Sequence, residues 1–113
     1  MITGIHVMRY SPKADAVRAF LRDVLEFPHI EAGEGWLIFK APAAEMASHP
    51  IDGEGSWDLS LMCDDLDATL KALAAKGVET GGTRDVGWGV TSTLRLPDGS
   101  DLMIYQPKYQ TAI

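Results

Sequence analysis

Two side chains able to exchange protons begin similar stretches of this sequence. His6 lies on a mixed apolar stretch near the start, and Asp58 lies between Trp57 and Leu59. When the two halves of the chain are aligned, His6 falls on Asp58. An imidazole facing a carboxylate across one hollow makes a candidate general base or substrate anchor. We therefore predict His6 and Asp58 as the catalytic pair. The alternatives are a packed histidine and an aspartate at a rim position in water.

A second group of residues could form the wall of a ligand cavity. Methionines at inward strand positions would supply soft apolar surface for a flat or flexible organic ligand, although such methionines are ordinarily core. Trp88 stands between two glycines, so it could be a lid, an interface anchor or a cover for the core. The predicted ligand-binding residues are Met46, Ser48, Ser60, Trp88, Met103 and Tyr105.

The first half of the chain, which contains His6, Met46 and Ser48, is predicted to form one helix and several strands. Residues 2–10 are rich in β-branched and apolar types and end at Ser11-Pro12, which is a helix-start signal. Residues 14–26 carry apolar side chains at three- and four-residue spacing, which predicts an amphipathic helix. Strand candidates follow at 29–32, 35–41 and 44–49. The predicted order is βαβββ.

The second half repeats that order. Residues 57–63 roughly alternate apolar and polar types, and Asp64-Asp65 caps a helix with a stripe of Leu66, Leu70, Leu73 and Ala74. Lys76-Gly77 ends this helix. Extended segments follow at 78–83, 88–96 and 101–106, the last after a turn at 97–99.

The repeat defines the domain organisation. Besides His6 with Asp58, the aligned halves pair Met46 with Met103 and Pro50 with Pro107. We predict a single domain, 1–113, made of a module at 1–50, a polar, glycine-rich linker at 51–56 and a module at 57–113, because one such unit cannot bury its sheet face alone.

Composition excludes several classes of partner. The 113 residues are 46% hydrophobic with a net charge of −6, which opposes binding to nucleic acid or anionic lipid. There is no signal-like N-terminus and no apolar run long enough to span a bilayer. The single cysteine, Cys63, suits a reducing compartment and is read as a small buried residue at a strand end. We expect a soluble, cytoplasmic protein.

Several short stretches in this order resemble the vicinal-oxygen-chelate superfamily of glyoxalases, bleomycin-resistance proteins and extradiol dioxygenases. They are residues 5–7, FLRDVLEF at 20–27, CDDLDA at 63–68, AKGVE at 75–79 and LPDGSDLMIYQP at 96–107. The resemblance covers essentially the whole chain. It implies an α+β fold in which tandem βαβββ modules form an open, curled mixed sheet around a small-molecule cavity, and it implies a homodimer.

The resemblance also implies a divalent metal, held by His on the first strand and Glu on the last strand of each module. His6 and Asp58 match the first-strand positions in chemical type. Met46 and Met103 stand where the family has glutamates, and a thioether is a weak ligand for Zn²⁺, Mn²⁺ or Ni²⁺. The expected metal site, His6 with Asp58, is therefore incomplete, and no other cofactor is expected.

His49 is a weaker metal candidate near the end of the first module. Strand alternation turns His49 and Glu45 away from the cavity if residues 44–49 form a regular strand. A β-bulge near Pro50 would reverse that orientation.

Three functions are compatible with these residues. The leading hypothesis is a glyoxalase-like enzyme, of lyase or dioxygenase type, acting on a small organic molecule. The alternative is a binding protein that sequesters a drug or metabolite, as bleomycin-resistance relatives do. A third is a structural dimer module whose cavity is filled by its own side chains.

Overall fold

The first helix begins after Ser11-Pro12, as expected. The computed structural model describes residues 6–45, 47–48, 50, 52–56 and 58–113. The α-helix α1, Ala14–Ala19, continues as a π-helical turn over Phe20–Val24. Val17 and Phe20 are its buried residues. The helix stops before Glu26, whose φ of 57° lies in the left-handed region.

A small hairpin follows α1. Strands β1, His29–Glu31, and β2, Leu37–Phe39, are antiparallel, with Ile30 opposite Ile38. The loop between them contains Gly35 at φ 72°, whose amide donates to the Glu31 side chain at 2.9 Å. This hairpin is a separate two-stranded sheet.

The second half forms the larger sheet. Its elements are β3 Ser60–Met62, α2 Leu66–Ala75, β4 Arg84–Asp85, β5 Gly89–Arg95 and β6 Asp101–Pro107. The strand order is β3-β6-β5-β4, with β3 parallel to β6 and the other neighbours antiparallel. The βαβββ order predicted for this half is confirmed.

The main core lies between α2 and this sheet. Leu66 and Leu73 of α2 pack with Leu94 and Ile104 of β5 and β6, and all four are buried. Ala74, predicted in the buried stripe, is exposed. The caps of α2 are as expected: the Asp65 side chain accepts from the Ala68 amide at 3.0 Å, and Gly77 follows the helix at φ 84°.

Some of the contacts between the two halves come from α1 and the segment before it. Val24 and Leu25 pack against the core cluster of the second half. Lys76 Nζ donates to the Val24 carbonyl at 3.0 Å. At the other end, Arg9 and Ser11 bind Asp98 in the turn between β5 and β6.

The first half departs from its predicted strands. Residues 6–10 form no strand, and neither do the described residues of 44–49, namely 44, 45, 47 and 48. Side-chain bonds hold these segments elsewhere, since Arg9 reaches Asp98 and Glu45 reaches the C-terminal residues. Among the described residues the strands form two separate open sheets. The segment predicted at 78–83 forms one isolated bridge, from Thr80 to Leu94, and β4 follows it at Arg84–Asp85. The α+β class is confirmed. No helix within the described residues is both long and apolar enough to cross a membrane.

Candidate binding site

One face of the four-stranded sheet is covered by α2, and the opposite face carries the predicted ligand residues. Leu94 and Ile104 point to α2, so their neighbours Thr93, Met103 and Tyr105 point the other way. Register sets two rows on that second face. Ser60, Met103 and Thr93 form one row, and Met62, Tyr105 and Thr91 form the other. We call these six residues, together with Trp88, the open sheet face.

An aromatic pair forms one corner of the open sheet face. The Trp88 and Tyr105 rings meet edge to face, with centroids 5.2 Å apart and an angle of 83°. The Trp88 backbone is held by its carbonyl, which accepts from the Lys108 amide at 2.8 Å. Gly89 permits this approach, because a Cβ there would lie 2.8 Å from the Gln106 carbonyl oxygen. Trp88 remains 47% exposed and so does not act as a core cover.

A chain of hydrogen bonds reaches Tyr105 from the first half of the protein. The Tyr105 and Tyr109 hydroxyls are 2.8 Å apart, and the Tyr109 hydroxyl donates to Glu45 Oε1 at 2.6 Å. Glu45 Oε2 accepts from the Ala112 amide at 2.6 Å. The Tyr109 hydroxyl and then the Ala112 amide lower the pKa of Glu45, while Glu45 and then Tyr105 raise the pKa of Tyr109. At neutral pH Glu45 is therefore ionised and Tyr109 is protonated.

A cavity of about 470 Å³ adjoins the open sheet face where β3 and β6 end. Met62 belongs to both. The cavity is lined mainly by apolar atoms, and its residues are Ala43, Met62, Cys63, Asp64, Gln106, Pro107, Thr111 and Ile113. Its wall thus combines the sheet, the segment after β2 and the C-terminal residues. This volume is in the range of small-molecule sites.

Cys63 lines this cavity, and its backbone and thiol both contact Tyr105. Its amide donates to the Tyr105 carbonyl at 3.0 Å, and its Sγ lies 3.5 Å from the same oxygen. Desolvation by burial raises the pKa of the thiol, so the group stays neutral near pH 7. Cys63 is half-buried at the end of β3, close to the expected position.

The structure brings some of the predicted site residues together. Ser60, Trp88, Met103 and Tyr105 share the open sheet face. Ser48 is exposed, and Met46 and His49 lie outside the described residues.

His6 and Asp58 are both exposed, and neither makes a hydrogen bond or ion pair among the described residues. Their pairing in one catalytic centre stays a prediction.

Glu45 and Tyr109 are the site residues that sequence reasoning missed. The alternation rule turned Glu45 away from the cavity, but that rule applies only to a strand, and the described residues around Glu45 form none. Tyr109 follows the last predicted strand and carried no pattern that would single it out. Only the folded chain brings this carboxylate and this phenol together.

One position of the expected metal site, Met103, lies in the described part of the chain. Met103 lies beside Ser60 on the open sheet face, so this position offers a thioether and a hydroxyl in place of a carboxylate. Among the residues described, no three His, Cys, Asp or Glu side chains are grouped closely enough to hold an ion.

Comparison with known proteins supports the fold. No protein-family model matches the sequence, and no protein of curated function matches it significantly. Solved structures do match. The antibiotic binding protein TnmS3 from Streptomyces sp. CB03234 has a TM-score of 0.69 at 22% identity, covering 95% of this chain and 98% of that one.

Two further structures are similar. A lactoylglutathione lyase from Agrobacterium tumefaciens has a TM-score of 0.67 at 18% identity, covering 92% of each chain. A glyoxalase/bleomycin resistance protein from Streptomyces sp. CB03234 has a TM-score of 0.54 at 22% identity, covering 87% of this chain and 93% of that one. The predicted fold is confirmed by these similar structures.

Proposed function

We propose that this protein binds a small organic molecule on the open sheet face and the adjoining cavity, without transforming it. The observation that carries the proposal is the aromatic and thioether surface on the side of the sheet away from α2, where Trp88, Tyr105, Met62 and Met103 stand. Rings and thioethers make favourable contacts with flat apolar ligands. Ser60, Thr91 and Thr93 add hydroxyls that orient a ligand on this face.

Sequestration is preferred to catalysis because of the residues at the family's metal positions. The resemblance implies that Met103 occupies a position where metal-using members of the superfamily carry a carboxylate, and Met103 faces the proposed ligand rather than the core. A methionine in place of a carboxylate at this position weakens a metal site and adds apolar surface to the open sheet face. The similar fold of an antibiotic binding protein supports the same function.

A glyoxalase-like lyase is the second candidate. It is favoured by the similar fold of a lactoylglutathione lyase and by His6 and Asp58, which offer metal-donor chemistry at the positions that the resemblance assigns to ligands. Metal analysis of the purified protein, with activity assays in the presence and absence of a chelator, separates the two functions. Stoichiometric divalent metal with chelator-sensitive turnover would favour the lyase over sequestration.

Binding to the open sheet face is tested with 2-naphthol as a flat aromatic probe, titrated by nuclear magnetic resonance. Trp88→Ala should weaken binding at least about fivefold, because an aromatic contact contributes about 1 kcal/mol beyond its buried area. Trp36→Ala is a matched control, since Trp36 is 48% exposed against 47% for Trp88 but lies next to the β1–β2 hairpin. Equal losses in the two variants would contradict the proposed site.

We also propose that the protein is a homodimer. Large apolar side chains are exposed along the segment before α1 and on the β1–β2 hairpin, including Val7, Met8 and Ile30. A second copy of the chain that covered them would bury surface that one copy leaves in water.

A further inference from the structure

The hydrogen-bond chain that ends at Tyr105 begins at the carboxylate of Glu45. Both Glu45 oxygens accept hydrogen bonds, one from the Tyr109 hydroxyl and one from the Ala112 amide, each at 2.6 Å. An ionised carboxylate has no proton to donate. Hydrogen bonds to a charged acceptor are also roughly twice as strong as neutral ones. Glu45 therefore fixes the direction of the Tyr109 hydroxyl proton.

The direction of the Tyr109 proton determines which tyrosine donates in the hydrogen bond between Tyr105 and Tyr109. A tyrosine hydroxyl has one proton, and the proton of Tyr109 is committed to Glu45. The 2.8 Å contact between the two phenols can then form in one way only, with Tyr105 as the donor and Tyr109 as the acceptor. The Tyr105 oxygen is left with lone pairs alone.

Tyr105 is placed where a ligand would meet that oxygen. Its side chain lies on the open sheet face between Met62 and Thr91 in register, with its ring against Trp88. Tyr105 is half-buried, so a ligand that packed against it would replace part of its contact with water. A ligand group that only accepts hydrogen bonds would face lone pairs there and lose its own bond to water.

We propose that Tyr105 is a specificity-determining residue that accepts a hydrogen bond from the ligand, so that the site selects molecules carrying a hydroxyl or N–H group at this point. This inference rests on the proposed binding function. Tyr109 and Glu45 act as positioning residues, because they set the direction of the Tyr105 hydroxyl. The ligand class is a flat apolar molecule with at least one hydrogen-bond donor, such as a phenol.

The test compares two probes of similar shape. 2-Naphthol can donate a hydrogen bond, whereas 2-methoxynaphthalene can only accept one. Wild-type protein should bind 2-naphthol about tenfold more tightly, the size of effect expected when one partner is left unsatisfied. In Tyr109→Phe the Tyr105 hydroxyl is free to turn and donate to a ligand. The ratio of the affinities for 2-naphthol and 2-methoxynaphthalene should therefore fall towards one. Glu45→Gln removes the fixed direction and should lower the preference too.

Comparing ratios between variants cancels the extra bulk of the methoxy group. Tyr10→Phe is the control, because Tyr10 is 87% exposed and takes no part in this hydrogen-bond chain, and it should keep the wild-type ratio. Tyr105→Phe should lose the preference altogether. Circular dichroism checks that each variant is folded.

Two failures are distinguishable. If both probes bind but the ratio is unchanged in Tyr109→Phe and Glu45→Gln, the acceptor role of Tyr105 is overturned while the binding function stands. If neither probe binds wild-type protein at millimolar concentration, both the binding function and the role of Tyr105 are overturned.

Discussion

At the scale of single residues, Asp98 connects the two halves of the chain. Its carboxylate accepts hydrogen bonds from the Ser100 hydroxyl and amide, from Ser11 at 2.8 Å and from Arg9 at 3.3 Å. The side chain is only 4% exposed although it lies in a turn. Ser100, then Ser11 and Arg9, hold the pKa of Asp98 well below its usual range. The segment before α1 is thus fastened to the β5–β6 turn by one ionised group.

This geometry predicts how stability depends on pH. The pKa of Asp98 is lower in the folded state than its unfolded value of about 4. Its contribution is therefore fully present above pH 4 and is lost as the pH falls towards the folded-state pKa. Asp98→Asn should lower the melting temperature by several degrees at pH 7 and by much less at pH 2, measured by circular dichroism.

Asp52→Asn is the control for Asp98. Asp52 is exposed in the linker and makes no hydrogen bond or ion pair within the described part of the chain. Its replacement should leave the melting temperature almost unchanged at both pH values. Equal losses at pH 7 and pH 2 in Asp98→Asn would show that the ionised form of Asp98 contributes nothing to stability.

At the scale of elements, α2 was the easiest part of the fold to predict, because its signals are local. Asp65, the leucine stripe and Gly77 lie within one short stretch, and each has a role that depends on its near neighbours in sequence. The β5–β6 hairpin was predictable for the same reason, since the turn at 97–99 sets its register.

Two predicted strands whose described residues form no strand have distant hydrogen-bond partners. Residues 6–10 carry a strand-like pattern, but Arg9 binds a turn almost ninety positions away. Glu45 lies in a stretch predicted as a strand, yet its partners are Tyr109 and Ala112. Alternation could place Ser60, Met103 and Tyr105 on one face because their strands formed as expected. It could not reveal the hydrogen-bond chain, which links residues with no shared local pattern.

The cap of α2 gives a prediction at this scale. Asp65→Ala removes the acceptor of the Ala68 amide at the helix N-terminus and should lower the free energy of unfolding by about 1 kcal/mol, measured with urea. Asp64→Ala is a matched control: it removes the same charge one residue earlier, where the side chain makes no hydrogen bond or ion pair among the residues described. An equal loss in both variants would attribute the effect to charge rather than to capping.

At the scale of the whole molecule, one copy of the chain is more open than its length requires. Its radius of gyration is 15.2 Å, whereas a compact domain of about 100 residues has a value near 13 Å. Among the described residues the two sheets are separate, and the contacts that join the halves are local. They are the hydrogen bonds to Asp98, the docking of Val24 and Leu25, the bond from Lys76 to Val24, and the hydrogen bonds of Glu45 with Tyr109 and Ala112. An open arrangement of this kind leaves apolar surface for another chain to cover.

The proposed homodimer therefore predicts a mass in solution of twice the 12.3 kDa of one chain, measured by light scattering during size-exclusion chromatography. Ile30→Asp should shift the protein towards the monomer, because Ile30 is 65% exposed on β1 and a charge there opposes burial in an interface. Ala72→Asp places the same side chain on the exposed side of α2 and should leave the mass unchanged. A wild-type mass of 12.3 kDa at high protein concentration would contradict the dimer. It would leave the exposed residues of the first half as surface of a monomer, and the open sheet face would then have to bind its ligand without any contribution from a second copy.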